Sequence, residues 1–133
     1  MAVHILVSIE YSARNGEVYL PSSALATSVN TNPVFVRELL RKLGKVNLVV
    51  TKEGKGGGVQ LARPASAINL REVYEAVESA PLLATNPRPR HKPCPVSCGM
   101  EDVLCPVFDE VEASMLQILE RRKISELVNG IRK

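Results

Sequence analysis

Residues 48–62 read Leu-Val-Val-Thr-Lys-Glu-Gly-Lys-Gly-Gly-Gly-Val-Gln-Leu-Ala, a glycine-rich turn between two short apolar runs. The runs 48–51 and 59–62 are typical of two antiparallel strands. The glycines between them permit backbone angles that other residues avoid, as the tip of a hairpin requires. The stretch therefore predicts a β-hairpin whose tip is built from Gly54, Lys55, Gly56, Gly57 and Gly58.

The segment before this hairpin has the pattern of two short helices joined by a turn. Residues 22–29 carry apolar residues on one side, and a break follows at Asn30. Thr31 or Asn32 can cap a second helix, and Pro33 suits its first turn. In residues 33–45 an apolar stripe faces the core and leaves basic residues outward, namely Arg37, Arg41, Lys42 and Lys45. A helix-turn-helix followed by a hairpin predicts a winged helix that binds DNA.

A glycine run with a lysine also occurs in phosphate-binding loops of nucleotide-binding enzymes. Those loops place Gly-Lys-Ser/Thr at the start of a helix, whereas the run here begins a strand. A hairpin that makes no DNA contact is a second alternative. The distribution of charge favours the DNA-binding interpretation. Residues 1–63 hold eight Lys/Arg against four Asp/Glu, whereas residues 64–133 hold nine against ten, so the positive charge lies where the DNA-binding elements are predicted.

The start of the chain and the region after the hairpin both read as helical. Residues 2–9 are largely apolar but lack the cationic start, the length and the cleavage site of a signal peptide, so we expect residues 1–13 to form a buried first helix. No stretch is long enough to span a membrane, which predicts a cytoplasmic protein without a membrane partner. Asn69 can cap a further helix that packs on the winged domain.

The C-terminal half alternates between a proline-rich segment and a long apolar helix. Prolines predict a loop over residues 80–96, and a long helix is expected over 106–123. Its stripe is longer than one small domain can cover, which predicts a homodimer through Val107, Val111, Met115, Ile118 and Leu119. Ser125 is expected to cap a last helix over 126–131. The expected organisation is a DNA-binding domain at 1–79, a sensor loop at 80–105, and a dimerisation helix with a short terminal helix at 106–133.

The only three cysteines, Cys94, Cys98 and Cys105, lie within 12 residues of one another. In a cytosolic protein this clustering indicates a metal or redox site more than a structural disulfide. The thiolates could hold three irons of a [4Fe-4S] cluster, or a zinc ion with His91, Glu101 or Asp102 as the fourth ligand. Cationic neighbours at residues 88–92 would also suit redox-sensing thiols. Inert cysteines are the remaining reading.

Five stretches together resemble the Rrf-type family of bacterial winged-helix transcription regulators, and they run nearly end to end: 2–6, 29–33, 56–58, 70–77 and 124–128. Each is weak alone, but their order and spacing carry the resemblance. It implies a dimer with swapped or crossed long helices and winged heads on palindromic promoter DNA. It also implies an effector site in the loop before the long helix, which some members fill with an iron-sulfur cluster.

The cysteine segment departs from the cluster-bearing pattern. Relatives that bind a cluster generally have five residues in each gap, whereas the gaps here are three and six, and Phe108 stands where some carry a histidine ligand. Residues 92–96 resemble a branch without the three-cysteine set, which includes thiol-based oxidant sensors. A redox, iron-sulfur or nitric-oxide sensor and a cluster-free oxidant-sensing repressor centred on Cys94 therefore both stay open.

The resemblance also assigns roles in DNA binding. Arg37 stands where relatives project a base-reading side chain, and an arginine can bind guanine O6 and N7 together. Ser23, Arg41 and Lys42 suit phosphates. Asn32 at the start of the recognition helix and Gly56, Gly57 and Gly58 of the wing are also expected DNA contacts. At the wing Glu53 replaces a common arginine, so Lys52 and Lys55 would take its place. A winged-helix protein-interaction module is the alternative class, and an enzyme is not expected, because no base that could activate a cysteine is evident.

Overall fold

The computed structural model describes residues 1–78, 83 and 86–131 of the chain. Its elements are α1 (Ala2–Arg14), α2 (Ser22–Val29), α3 (Pro33–Lys45), β1 (Val49–Lys52), β2 (Gly58–Leu61), a 3-10 turn (Ala65–Ala67), α4 (Leu70–Val77), α5 (Pro95–Arg121) and α6 (Ile124–Gly130). The mainly helical fold with one two-stranded hairpin and a long C-terminal helix is confirmed. Pro81 and the expected boundary between residues 79 and 80 lie outside the described residues.

The helix-turn-helix forms where the sequence predicts it. Asn30 has a left-handed backbone (φ 54°), which ends α2. The side-chain oxygen of Asn32 then accepts a hydrogen bond from the backbone N–H of Val34 at 2.7 Å. Pro33, as the first helical residue, has no N–H to leave unsatisfied. Asn32, and not Thr31, is therefore the cap that fixes the start of α3.

The hairpin pairs antiparallel, with Val49 opposite Leu61 and Lys52 opposite Gly58. Both strands are displaced by one residue, toward the tip, from the predicted 48–51 and 59–62. A third segment adds to the sheet, because Leu20 N–H donates to the Val59 carbonyl at 3.0 Å and Val59 N–H donates back at 2.8 Å. This bridge ties the hairpin to Leu20, two residues before α2 begins.

One apolar core joins the winged helix to the end of the chain. Ile5, Leu6 and Ile9 of α1 are buried together with residues from α2, α3 and the hairpin, and with Ile124 and Val128 of α6. The predicted cap at Ser125 is wrong. Helix α6 begins at the buried Ile124, two residues before the predicted start at residue 126, and the backbone N–H of Ile124 has its partner in the Ile68 carbonyl at 3.0 Å.

The predicted start of the long helix at Pro106 is wrong, as is the expectation of a loop through Val96. Helix α5 begins at Pro95 and runs for 27 residues with Pro106 inside it. Pro95 is the first helical residue, where a missing N–H costs nothing, and Cys94 caps it. The apolar residues Val96, Met100 and Val103 already had helical spacing. Periodicity outweighs the breaking effect of one proline here.

Candidate DNA-binding surface and cysteine segment

Helix α3 buries one side and presents another. Val36, Leu39, Leu40 and Leu43 are its buried residues. At 100° per residue, the line directly opposite that buried side is formed by four exposed residues, namely Val34, Glu38, Arg41 and Lys45. Arg37 is exposed on the flank of this line that faces the hairpin. The outward surface of α3 is therefore cationic with one acidic side chain in its centre.

That acidic side chain is bound to one of the expected DNA contacts. The Arg41 guanidinium donates to the Glu38 carboxylate, with one contact at 3.2 Å, along one turn of exposed helix. The hydrogen bond from Arg41 lowers the pKa of Glu38, and the same bond raises the pKa of Arg41. Arg41 is thus charged but already paired with Glu38. It would have to give up this pairing, at least in part, to bind a phosphate.

A groove of about 610 Å³ separates α3 from the hairpin. It brings together five of the expected DNA-binding residues, namely Arg37, Arg41, Lys52, Gly57 and Gly58. Arg37 makes no ion pair with any residue that the structure describes. Lys52 lies over the Tyr19 ring, with its ammonium 5.3 Å from the ring centre, so this cation is held beside the groove.

The other expected contacts lie around the groove and do not line it. Ser23 and Asn32 are exposed near the starts of α2 and α3, although the Asn32 side chain is already used as the α3 cap. Lys42 is half-buried on the flank of α3 away from the hairpin. Lys55 and Gly56 are exposed at the hairpin tip. Ser22 lines the groove, although it was not among the expected contacts.

Two of the tip glycines have steric reasons to be glycine. A Cβ on Gly57 would lie 2.1 Å from the carbonyl oxygen of Lys52, closer than any real contact. A Cβ on Gly58 would lie 2.6 Å from the backbone of Leu20, in the bridge that ties the hairpin to the core. These glycines therefore set the shape of the wing through close backbone approach.

The start of α5 is built around a cysteine. Cys94 Sγ accepts a hydrogen bond from the backbone N–H of Ser97 at 3.4 Å, which makes the thiol the cap of a 27-residue helix. Ser97 Oγ in turn accepts from the His91 N–H at 2.8 Å. Cys98 Sγ lies 3.6 Å from the Lys92 carbonyl. Arg90 and Glu101 close the same corner with an ion pair of 2.9 Å that raises the pKa of Arg90.

The three cysteines do not converge on one point. Cys98 and Cys105 are seven residues apart in one continuous helix, which places them about 10.5 Å apart along its axis. Two sulfurs on one zinc ion can be no more than about 4.6 Å apart, and a [4Fe-4S] cluster also needs its thiolates around one compact body. No trio of His, Cys, Asp or Glu in the described part of the chain is arranged to hold a metal. The helical arrangement does not fit a shared cluster or zinc ion.

Helix α5 carries two apolar sides. Leu104, Phe108, Met115 and Leu119 are half-buried on one of them. On the adjacent side, six large apolar residues are exposed at spacings of three, four or seven, and we call this set the α5 line: Val96, Met100, Val103, Val107, Val111 and Ile118. The predicted stripe is thus divided, because Met115 and Leu119 lie off the exposed line.

The sequence-based reading missed three participants, namely Tyr19, Glu38 and Ser97. Glu38 could have been found from its spacing of three residues from Arg41, a common helical ion pair. Ser97 stands three residues after Cys94, as in a helix cap, but cysteine is not among the usual capping residues. Tyr19 and Lys52 are far apart in the sequence and meet only when the hairpin folds, so no local pattern could have shown that they are in contact.

The comparisons with known proteins agree with this geometry. A family model described as Rrf2, iron-dependent transcriptional regulator, matches residues 1–130. YwnA of Bacillus subtilis (strain 168), described as an HTH-type transcriptional regulator, is 32% identical over 132 residues, covering 98% of this chain and 94% of that protein. IscR of Cereibacter sphaeroides is 31% identical over 77 residues, covering 58% of this chain and 50% of that one.

A solved structure shows the same fold at lower identity. The oxidized form of Staphylococcus aureus CymR superposes with a TM-score of 0.72 at 15% identity, covering 99% of this chain and 93% of that one. None of the helices that the structure describes is long and apolar enough to cross a bilayer. The matched relatives are regulators of transcription and not enzymes. Because the family model covers almost the whole sequence, the chain belongs to the Rrf2 family of helix-turn-helix transcriptional regulators.

Proposed function

We propose that the protein binds palindromic promoter DNA as a homodimer and that oxidation of Cys94 changes this binding. The observation that carries the first part is the open groove between α3 and the hairpin, whose lining includes the cations Arg37, Arg41 and Lys52 and the acidic Glu53. In helix-turn-helix proteins the second helix enters the major groove, and dimers read two half-sites. We also propose a cytoplasmic location, because a regulator of bacterial promoters works where the chromosome lies.

Arg37 is the residue to which we assign base reading. It is exposed, it makes no ion pair with the described residues, and it faces the groove. An unpaired guanidinium can bind guanine O6 and N7 as a bidentate pair. Lys52 and Lys55 of the hairpin then serve phosphates beside the major groove, and Ser23 and Lys42 flank the site as phosphate contacts.

The α5 line supports the homodimer. Val107 is 50% exposed and Ile118 is 57% exposed, so the line presents apolar side chains to solvent. Burying each such side chain contributes on the order of 1.5–3 kcal/mol, and a second copy of the same helix offers a matching line. Two α5 helices packed along this line would hold two winged heads at a fixed spacing.

Cys94 is the residue through which we propose that an oxidant acts. Its sulfur accepts the backbone N–H of Ser97 at the start of α5, and the side chain is partly exposed, as a thiol that reacts with an oxidant must be. Attack of the thiolate on a peroxide oxygen forms Cys–SOH and releases hydroxide or an alkoxide. The modified sulfur carries an additional oxygen beside Ser97, and this alters the cap.

The consequence of this oxidation for DNA follows from where the cap lies. Val96 and Met100, the first two residues of the α5 line, are in the first turns after Cys94. A changed cap therefore moves the end of the proposed dimer contact, and with it the spacing of the heads. A cluster-based sensor lacks this support, because Cys98 and Cys105 lie about 10.5 Å apart along the helix axis.

The test uses DNA selected by the protein itself. The wild-type protein is incubated with a random duplex library, and the bound fraction is sequenced; we expect a palindromic site. Arg37→Ala should weaken binding to that site by roughly 1–3 kcal/mol and change binding to random duplex little. Equal losses on both duplexes would make Arg37 a phosphate contact. No enrichment at all would favour a winged-helix module that binds protein.

A second measurement separates the two sensing chemistries. The protein is purified without oxygen, and its visible spectrum, iron and acid-labile sulfide are measured. We expect a colourless protein with little iron and sulfide, whose DNA binding responds to peroxide. A brown protein with stoichiometric iron and sulfide would contradict the thiol mechanism and would require α5 to unwind between Cys98 and Cys105.

A further inference from the structure

Two apolar side chains at the start of α3 are exposed without a packing role. Val34 is 66% exposed and Phe35 is 49% exposed. They are the second and third residues of the helix. The Asn32 cap binds the backbone N–H of Val34 at 2.7 Å, so the backbone at this point is held firmly. Neither side chain is part of the apolar core, so packing within the protein does not explain why these two residues are apolar.

Their position distinguishes them from ordinary exposed apolar residues. Val34 lies on the outward line of α3 with Glu38 and Arg41, directly opposite the buried side. The N-terminal residues of a recognition helix are the ones that reach base edges in the major groove. A cationic surface surrounds Val34, since Arg37 and Arg41 follow one and two turns later, and this complements DNA more than an apolar protein partner.

The major groove offers one apolar group, the C5-methyl of thymine. We propose that Val34, with Phe35 beside it, contacts thymine methyl groups in each half-site and so determines base preference at positions that Arg37 does not read. The inference rests on the proposed function, because it needs α3 to be the recognition helix. The isopropyl group of Val34 has no hydrogen-bonding group, so it discriminates by apolar contact alone.

The experiment removes the methyl group from the DNA and the isopropyl group from the protein. In the palindrome selected by the wild-type protein, each thymine is replaced in turn by deoxyuridine, which pairs identically and lacks only the methyl. Wild-type affinity should fall about fourfold at one or more thymines of each half-site, the value of one buried methyl-sized group. The affinity of Val34→Ala should not fall when that thymine is replaced, whereas the affinity of Val34→Ile should fall as that of wild type does.

The control is Val18→Ala, which truncates a valine of similar exposure (57%) in the segment between α1 and α2. It should retain the full deoxyuridine effect. The inference is overturned if deoxyuridine at every position leaves wild-type affinity unchanged, or if it lowers the affinity of Val34→Ala as much as that of wild type. The proposed function stands in either case. If the library yields no selected sequence, the proposed function fails and this inference fails with it.

Discussion

Arg41 donates two hydrogen bonds to the Glu38 carboxylate on the exposed surface of α3, one of them from Nε to Oε2 at 3.2 Å. The pair lies on the side opposite the buried stripe, where the helix would face DNA. A cation that the sequence marks as a phosphate ligand is thus neutralised by a neighbour three residues away. The charge that the helix presents to DNA is therefore smaller than its lysine and arginine count implies.

Glu38→Gln should release Arg41 and strengthen binding to random duplex DNA. One additional phosphate contact should steepen the dependence of log affinity on log salt by about 0.9. Fluorescence anisotropy titrations between low and moderate salt measure this slope. Glu75→Gln is the matched control, because it breaks the Arg71–Glu75 pair of α4 (2.6 Å) and should leave the slope unchanged. An unchanged slope in Glu38→Gln would mean that Arg41 does not face the phosphates.

Gly57→Ala should distort the wing while the core stays folded. The new Cβ would lie 2.1 Å from the Lys52 carbonyl oxygen, so the hairpin tip must move and take Lys52 and Lys55 with it. We expect the salt dependence to become shallower by about one to two units as these phosphate contacts are lost. Gly130→Ala, which meets nothing within 4 Å, is the control. Wild-type DNA binding by Gly57→Ala would show that the wing makes no contact.

Val111→Asp should convert the protein into folded monomers. Val111 is 44% exposed in the single chain, so the substitution spares the fold, yet it places a carboxylate in the proposed apolar interface. Sedimentation velocity measures the assembly, and circular dichroism confirms that the helices persist. Gln117→Asp introduces the same charge on α5 outside the α5 line and should remain dimeric. A dimeric Val111→Asp protein would place the interface elsewhere.

Two substitutions at Cys94 separate its capping role from its chemistry. Serine keeps an acceptor for the Ser97 N–H but has no sulfur that peroxide can oxidise. Alanine has neither the acceptor nor the sulfur. We expect Cys94→Ser to bind DNA as reduced wild type does and to ignore peroxide. Cys94→Ala should also ignore peroxide and lose about 1 kcal/mol of stability in thermal or denaturant unfolding.

Cys105→Ser is the control for this pair, because Cys105 lies far from the cap along α5. It should respond to peroxide like wild type in the same DNA-binding titration. A peroxide response that survives in Cys94→Ser and disappears in Cys105→Ser would move the sensor to Cys105 and refute the role of the cap.

The winged helix could be predicted from sequence because its signals are local. Asn32 and Pro33 mark the start of α3, and its stripe from Val36 to Leu43 has helical spacing, so the helix bounds agree with the prediction. The glycines at 56–58 mark the hairpin tip, although both strands lie one residue nearer to that tip than predicted. The bridge between Leu20 and Val59 could not be predicted, because it joins residues 39 positions apart and no local pattern contains such a contact.

The cysteine segment was harder to predict, because two local signals disagree there. Pro95 and Pro106 suggest a loop that ends at Pro106, whereas Val96, Met100 and Val103 have helical spacing. The helix prevails, and it separates Cys98 from Cys105 along its axis. The number of cysteines alone therefore predicts a cluster that the distance between Cys98 and Cys105 does not allow. The pairing of Arg41 with Glu38 was local and could have been predicted.

The central claim is that two winged heads, held together by α5, bind one palindrome. Native mass spectrometry of the protein mixed with its selected duplex tests this claim most directly, since each chain adds 14.5 kDa. We expect the duplex to carry two chains, with little complex containing one chain even when protein is limiting, and we expect a scrambled duplex to carry none. A complex with a single chain, or equal binding to the scrambled duplex, would contradict the account.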